Sequence, residues 1–512
     1  TSIIILIFSA LIFAQQPIAE KEPAYVSAEK IARHLAFLSS DAMKGRNTPS
    51  PELDSAAVYI AGEFAGYGLK PAGDNGTYFQ KFFVLHSRLG QPNAFAIITD
   101  SSETAFDIKQ DFVPLHFSAN RQIVAPVVFA GYGITAAKYN YDDYNGIDVR
   151  GKIVLIFTHE PQEKNANSVF DGEKLTDFSK PVNKAISARE HGAAGMIVVT
   201  DPNHRFRRPP NPWPSLMRIS PKGGIPLTLE ERMENKIVAV RTGKNLAEFL
   251  LDGTGKTMAE LQTLIDTGLQ PHSFEIPGKK IKMETHLNYD RKPTQNVVGL
   301  LEGSDPLLKE EVIIIGAHYD HLGTRNDTII YNGADDNASG TVGILTVAET
   351  LAENNLHPRR SILFCAWAGE EKGLFGSRYY VDSAPVFPLE NTVANMNLDM
   401  IGRNDSGKVE LEGLYSSAEL AEIINQENEG VGLKIVAKKS SAGRSDHASF
   451  LRKGVPAVEF FTGFHPDYHQ PTDTAEKCFP EGIAQICRLV AKVSLRLAID
   501  KKRPAFTQRK EN

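Results

Sequence analysis

At 512 residues the chain is too long for one ordinary core, so two domains are expected. Its 42% hydrophobic and 23% charged residues are those of a globular protein, and a net charge of -6 excludes nucleic acid as the main partner, since phosphate binding needs a basic surface. No polybasic patch is present, so no membrane contact is expected beyond an N-terminal anchor.

The apolar run at residues 3–14 is too short to span a bilayer but has the length of a signal-peptide core, and it ends Ile12-Phe13-Ala14 before Gln15, an acceptable cleavage pattern. Residues 1–19 are therefore expected to form a signal peptide and the protein to be secreted or periplasmic; left uncleaved, the same run would be the anchor. Of the three cysteines, Cys365 lies in the apolar run at 361–367 and reads as core, while Cys478 and Cys487 are candidates for a disulfide in an exported protein. No C-x-x-C occurs, which argues against a thiolate zinc site.

Residues 27–38 carry Ile31, Leu35 and Leu38 at helical spacing behind a capping Ser27, and residues 53–67 place Ala57, Ile60, Ala61 and Phe64 on one helical face. From about 93 to 284 the texture changes to short β runs at 124–132, 151–157 and 195–200, with a helix over 182–191 and a Pro-, Arg- and Asn-rich exposed loop at 203–214. Nothing there has metal-ligand spacing, so this segment reads as a binding or lid module. From residue 296 strands at 296–301, 312–315, 361–366 and 393–397 alternate with helices, one of them over 340–354. That alternation predicts an α/β fold: a mostly parallel, mixed sheet sandwiched by helices, which the early helices join, with the β-rich segment inserted.

The chemistry-bearing residues follow those strands. In GAHYDHLG (316–323), His318 and Asp320 stand behind four β-branched or apolar residues, two apart, and would share a face if the strand continued. Next come Asp335 and Asp336 between glycines before a helix, Glu370 and Glu371 behind an apolar strand, Asp399 inside an apolar run, and Tyr468-His469. Each has an ordinary alternative: Asp336 or Ser339 can cap a helix, and Asp473 with Glu476 reads as a capping box. A carboxylate buried without a partner at Asp399 would be costly, however. Jointly these stretches supply two His, two Asp and one Glu from five successive loops, enough for two metals sharing one carboxylate.

In order and spacing these residues resemble the co-catalytic zinc aminopeptidases of the transferrin-receptor and glutamate-carboxypeptidase superfamily, over residues 296–498 and the early helices. The resemblance implies two zinc ions, His318 and Asp399 on one, Glu371 and His469 on the other, and Asp336 bridging them. It further implies that Asp320 orients His318, that Glu370 is the general base and that Tyr468 hydrogen-bonds the oxyanion, and it places Ser445-Asp446-His447 near the substrate pocket without making His447 a ligand. GKIVLI followed by KAISAREHGAAGMIVVTD resembles the protease-associated domain, which implies a part in substrate access or partner contact. The expected division is a leader at 1–19, the N-terminal part of the peptidase domain at 20–92, the insert at 93–284, the catalytic domain at 285–502 and a tail at 503–512. The expected function is removal of N-terminal residues from peptides. The alternatives are a glutamate-carboxypeptidase-like carboxypeptidase, for which Arg378, Arg403 or Arg444 would hold the terminal carboxylate, and a receptor-like binding protein.

Overall fold

The computed structural model describes residues 27–172, 175–204, 224–230, 237–326, 328–354, 356, 358–438 and 444–507; the leader, most of the Pro- and Arg-rich loop and the end of the tail lie outside the described residues. Among the described residues no helix is long and apolar enough to cross a membrane.

Helices α1 (Ala28–Leu38) and α2 (Pro51–Gly66) are each capped by a serine, Ser27 accepting from the Lys30 N–H at 3.2 Å and Ser50 from that of Leu53 at 3.1 Å. The main sheet is built from β1 (Phe79–Leu89), β2 (Gly224–Leu229), β3 (Leu287–Leu301), β4 (Val312–His318), β5 (Ser361–Trp367), β6 (Thr392–Leu398), β7 (Lys408–Glu412), β8 (Lys434–Ala437) and β9 (Ala457–Phe461). Their spatial order is β2-β1-β3-β5-β4-β6-β9-β7-β8, and the two-residue strand Lys70–Pro71 also pairs with β3. The four central strands β5, β4, β6 and β9 run parallel, flanked by antiparallel pairings at β3 and β7.

Every residue of β4, β5 and β6 is buried, as expected for a sheet covered on both faces. Alternation divides them between two cores. Ile313, Ile315, Ile362 and Phe364 pack with residues of α1, α2, α3 (Gly340–Glu353) and α4 (Pro480–Ile499), while Ile314, Leu363, Cys365 and Trp367 pack with Tyr380 and Phe450 on the other side. Because the parallel strands share a direction, the loops after β4, β5 and β6 open on one edge of the sheet. Strand β4 ends at His318, so Asp320 lies past it and the two do not share a strand face.

A second sheet, formed within residues 94–285, has the order Glu103–Phe106, Ala94–Ile98, Phe274–Thr285, Arg121–Phe129, Ile153–Phe157, Gly195–Val199, Val238–Thr242, Phe112–Pro114. Its four strands from Arg121–Phe129 to Val238–Thr242 are mutually parallel and are also covered on both faces. One strand from this part of the sequence, β2, instead pairs antiparallel with β1 of the main sheet. All three cysteines are free and buried, so the expected disulfide between Cys478 and Cys487 is absent; Cys487 Sγ lies 3.7 Å from the Gly343 carbonyl, Cys478 Sγ 4.0 Å from that of Thr474.

Candidate metal centre

The loops at the carboxyl ends of β4, β5, β6 and β9 bring together all five residues expected as ligands. His318, the last residue of β4, is 1% exposed, and its Nε2 lies 3.3 Å from Asp399 Oδ1 and 3.4 Å from Asp336 Oδ1. On the other side of Asp336, His469 Nε2 stands 3.0 Å from Asp336 Oδ2 and 3.3 Å from Glu371 Oε2. Asp336 thus faces one histidine with each oxygen. Four ligands at about 2.0–2.1 Å from one ion in a tetrahedron are roughly 3.3 Å from each other, so these separations suit two ions sharing Asp336.

The electrostatics point the same way. Burial alone would push the Asp336 and Glu371 carboxyls up, but the surrounding histidines outweigh it and hold both below the usual range. Burial would likewise lower His318 and His469, yet the carboxylates raise both, His469 to about 10. The cleft therefore calls for positive charge, which a dication supplies while leaving each imidazole neutral and its lone pair available.

Asp336 is fixed from behind. Asp473, fully buried, accepts from the backbone N–H of Asp335 at 3.0 and 3.1 Å and from that of Asp336 at 3.0 Å. The capping box expected of Asp473 and Glu476 is therefore not formed: Asp473 serves the ligand loop, and the short helical turn Ala475–Lys477 starts behind Thr474. Asp335 is turned away from the histidine pair, its oxygens taken by the Gly402 N–H at 2.6 Å and His465 Nε2 at 3.0 Å. Neither Asp336 nor Ser339 caps α3; Asn337 Oδ1 accepts the Gly340 N–H at 2.9 Å, and Ser339 Oγ donates to the Asp335 carbonyl at 2.7 Å.

Glu370 and Glu371 sit on a single 3-10 turn after Gly369 at φ 77° and face different partners. Glu370 Oε2 lies 3.9 Å from His318 Nε2, whereas Glu371 faces His469 and His321. Burial, with Asp399 adding to it, pushes the Glu370 carboxyl well above the usual carboxylate range. Asp320 touches His318 Nδ1 through its backbone oxygen at 3.2 Å and its carboxylate at 3.7 Å; that carboxylate also accepts from Thr48 Oγ1 at 2.9 Å and the Glu370 N–H at 3.1 Å. Tyr468, half-buried, stacks on the His469 ring with centroids 3.8 Å apart.

Three further residues at the site carry no signature in the sequence. His321 is fully buried with Nδ1 2.9 Å from Glu371 Oε1. Arg46, equally buried, donates to the carbonyls of Tyr319 at 2.9 Å, Leu38 at 2.5 Å, Asn332 at 2.8 Å and Gly333 at 2.9 Å, tying α1 to both ligand loops. His465, on the His469 loop, holds Asp335. Of the arginines considered for a terminal carboxylate, Arg403 is already committed to Asp467 at 3.2 Å and Asp473 at 3.3 Å, and Arg444 lies over the Phe464 ring at 5.8 Å. His447 is buried apart from the cluster, 3.8 Å from Glu459.

Residues 296–494 match the profile of Peptidase family M28 and residues 122–243 that of the PA domain. Leucine aminopeptidase 2 of Arthroderma otae is 31% identical over 203 residues, 37% of this chain and 38% of that protein. Leupeptin-inactivating enzyme 1 of Streptomyces exfoliatus is 29% identical over 182 residues, 36% of this chain and 38% of that protein. The chain thus spans well under half the length of these relatives. The solved aminopeptidase from Aneurinibacillus sp. strain AM-1 covers 94% of this chain and 96% of its own at 21% identity and a TM-score of 0.48. The candidate ligand loops lie inside the stretch that matches Peptidase family M28, and the second sheet's parallel strands lie in the stretch that matches the PA domain.

Proposed function

We propose that the protein is an exported zinc-dependent exopeptidase, an aminopeptidase that hydrolyses N-terminal residues from peptides at a site for two zinc ions. The observation that carries this reading is the pair of histidines on opposite oxygens of Asp336, each with a further carboxylate at ligand spacing. The aminopeptidase name of the Arthroderma otae relative adds to it. His318 and Asp399 would hold one ion, Glu371 and His469 the other, and Asp336 both. Bound there, the ions would polarise the scissile carbonyl and make a hydroxide available near neutral pH.

The chain's own residues do the rest. Glu370, beside His318 and not needed as a ligand, takes the proton from the attacking water and passes it to the leaving amine nitrogen. Its raised carboxyl suits a group that must both accept and release a proton. Asp320 keeps His318 in the tautomer whose Nε2 faces Asp399 and Asp336. Tyr468, held by its stack on His469, donates its hydroxyl to the oxygen that gains charge. Residues 93–284 govern access to this cleft without contributing a ligand, and export rests on the apolar run of residues 3–14.

The test is hydrolysis of a panel of aminoacyl-arylamides together with peptides blocked at either end. Free N-termini should be required and N-acetylated peptides should be poor substrates. Cleavage of acetylated peptides at the full rate, with C-terminal amidation blocking turnover, would replace this reading by the carboxypeptidase one.

A further inference from the structure

His321 is three residues past His318, fully buried, and has no hydrogen-bond partner at either ring nitrogen. Its Nδ1 lies 2.9 Å from Glu371 Oε1 and 3.7 Å from Asp336 Oδ2. The contact with Glu371 lacks hydrogen-bond geometry, for Glu371 Oε1 is itself without a hydrogen-bond partner. A donor and an acceptor that close and that buried normally align, since a buried polar group left without a partner is costly. Two lone-pair atoms that share an ion, by contrast, approach to roughly 3 Å without aiming at one another.

Two backbone features set the ring there. The His321 N–H donates to the Arg46 carbonyl at 3.2 Å, and Gly333, at φ 58°, lies against the ring so closely that a β-carbon at this position would overlap it. The ring edge carrying Nδ1 is thereby turned to the same side of Asp336 as His469, whose ring centroid is 5.8 Å away.

We propose that His321 is a further ligand of the position held by Glu371 and His469, and that the two zinc positions are consequently unequal. This rests on the two-zinc reading above. One position has two imidazoles, Glu371 and a share of Asp336; the other has one imidazole, Asp399 and the other share of Asp336. Imidazole-rich sites favour zinc, and carboxylate-rich sites accept manganese or magnesium more readily. The His321 position should fill first and empty last, and the His318 position should be the exchangeable one.

The test uses the full chain, stripped with a chelator and titrated with zinc against a chromophoric competitor. The wild type should bind in two separated steps, and His321→Gln should weaken the tighter step by at least about tenfold while leaving the weaker one in place. Zinc X-ray absorption of the wild type at one equivalent should report two imidazoles per ion, a measurement that decides the matter even if the variant does not fold. Unchanged affinities in a folded His321→Gln, or a single imidazole at one equivalent in the wild type, would overturn the assignment of His321 while leaving the two-zinc reading intact. A wild type that binds no zinc would overturn both.

Discussion

The molecule contains two sheets with buried parallel strands, and both end those strands in charged residues; they differ in how that charge is met. In the PA sheet, Asp143 accepts from the N–H groups of Tyr132 and Ile134, both at 3.0 Å, and from the Tyr141 hydroxyl at 2.6 Å. Asp201 pairs with His159 Nδ1 at 2.7 Å. Lys184, fully buried, donates to the carbonyls of Tyr132 at 2.6 Å and Phe157 at 3.0 Å, with Asp143, Asp201 and Glu160 near enough to favour its charge against the burial that lowers it. Asp143 and Lys184 are thus answered within the domain, whereas His159, Glu163 and Asp201 come together at ligand spacing, which the sequence of this segment does not disclose. At the main sheet, Asp336, Glu370, Glu371 and Asp399 converge on histidines alone, while the nearest buried guanidinium, Arg46, spends its donors on backbone carbonyls. Parallel topology by itself does not decide how the charge at a strand end is met.

The contrast is broken most severely at the neighbouring glutamates. Glu370→Gln keeps the shape of the side chain but removes the proton acceptor, so turnover should fall about 100-fold or more with zinc content near that of the wild type. Glu371→Gln should instead weaken one zinc position. Kinetics and metal analysis on the two variants separate these roles; zinc lost from Glu370→Gln and kept by Glu371→Gln would reverse them.

On the PA side the corresponding change is Lys184→Met. It leaves two buried carbonyls without a donor, and the PA sheet should lose roughly 2–5 kcal/mol of local stability. Hydrogen exchange in strands Arg121–Phe129 and Ile153–Phe157 would report it, with zinc content unaltered. A parallel loss of zinc would show that the two sheets do not behave as separate charge systems.

A smaller effect is expected from Asp473→Asn. An amide has only one acceptor oxygen, and its NH2 would face the N–H groups of Asp335 and Asp336, so the ligand loop should loosen and zinc affinity drop by about 10–100-fold. Competition with a chelator measures it; an unchanged affinity would mean that the loop holds its shape without this anchor.

The same contrast explains what the amino-acid sequence discloses. Strands β4, β5 and β6 are legible because a sheet covered on both faces requires unbroken apolar runs, and His318, Glu370, Glu371 and Asp399 stand out because they interrupt or follow those runs. Asp473 does not stand out, since its spacing to Glu476 imitates a local cap while its partners lie 137 and 138 residues upstream. Arg46 falls in a short, irregular 3-10 segment with no periodicity to mark it, and its role depends on carbonyls up to 287 residues away. His321 follows a histidine and an aspartate already accounted for, and only the turn that faces it toward Glu371 distinguishes it. Lys184 and Asp143 were equally silent: a buried lysine on a short helix reads as a solvated one until the neighbouring strand ends are in place.

The bonds of Arg46 also set an order on the growth of the chain. Its partners Tyr319, Asn332 and Gly333 follow it by 273, 286 and 287 residues, so at about 5–20 residues per second they are synthesised roughly 14–57 seconds later. The whole second sheet, within residues 94–285, emerges in that interval and can fold while the guanidinium is still in water. The loops that follow β4 acquire this backing only when the N-terminal segment meets residues past the middle of the chain, which places that contact after synthesis of the whole second sheet.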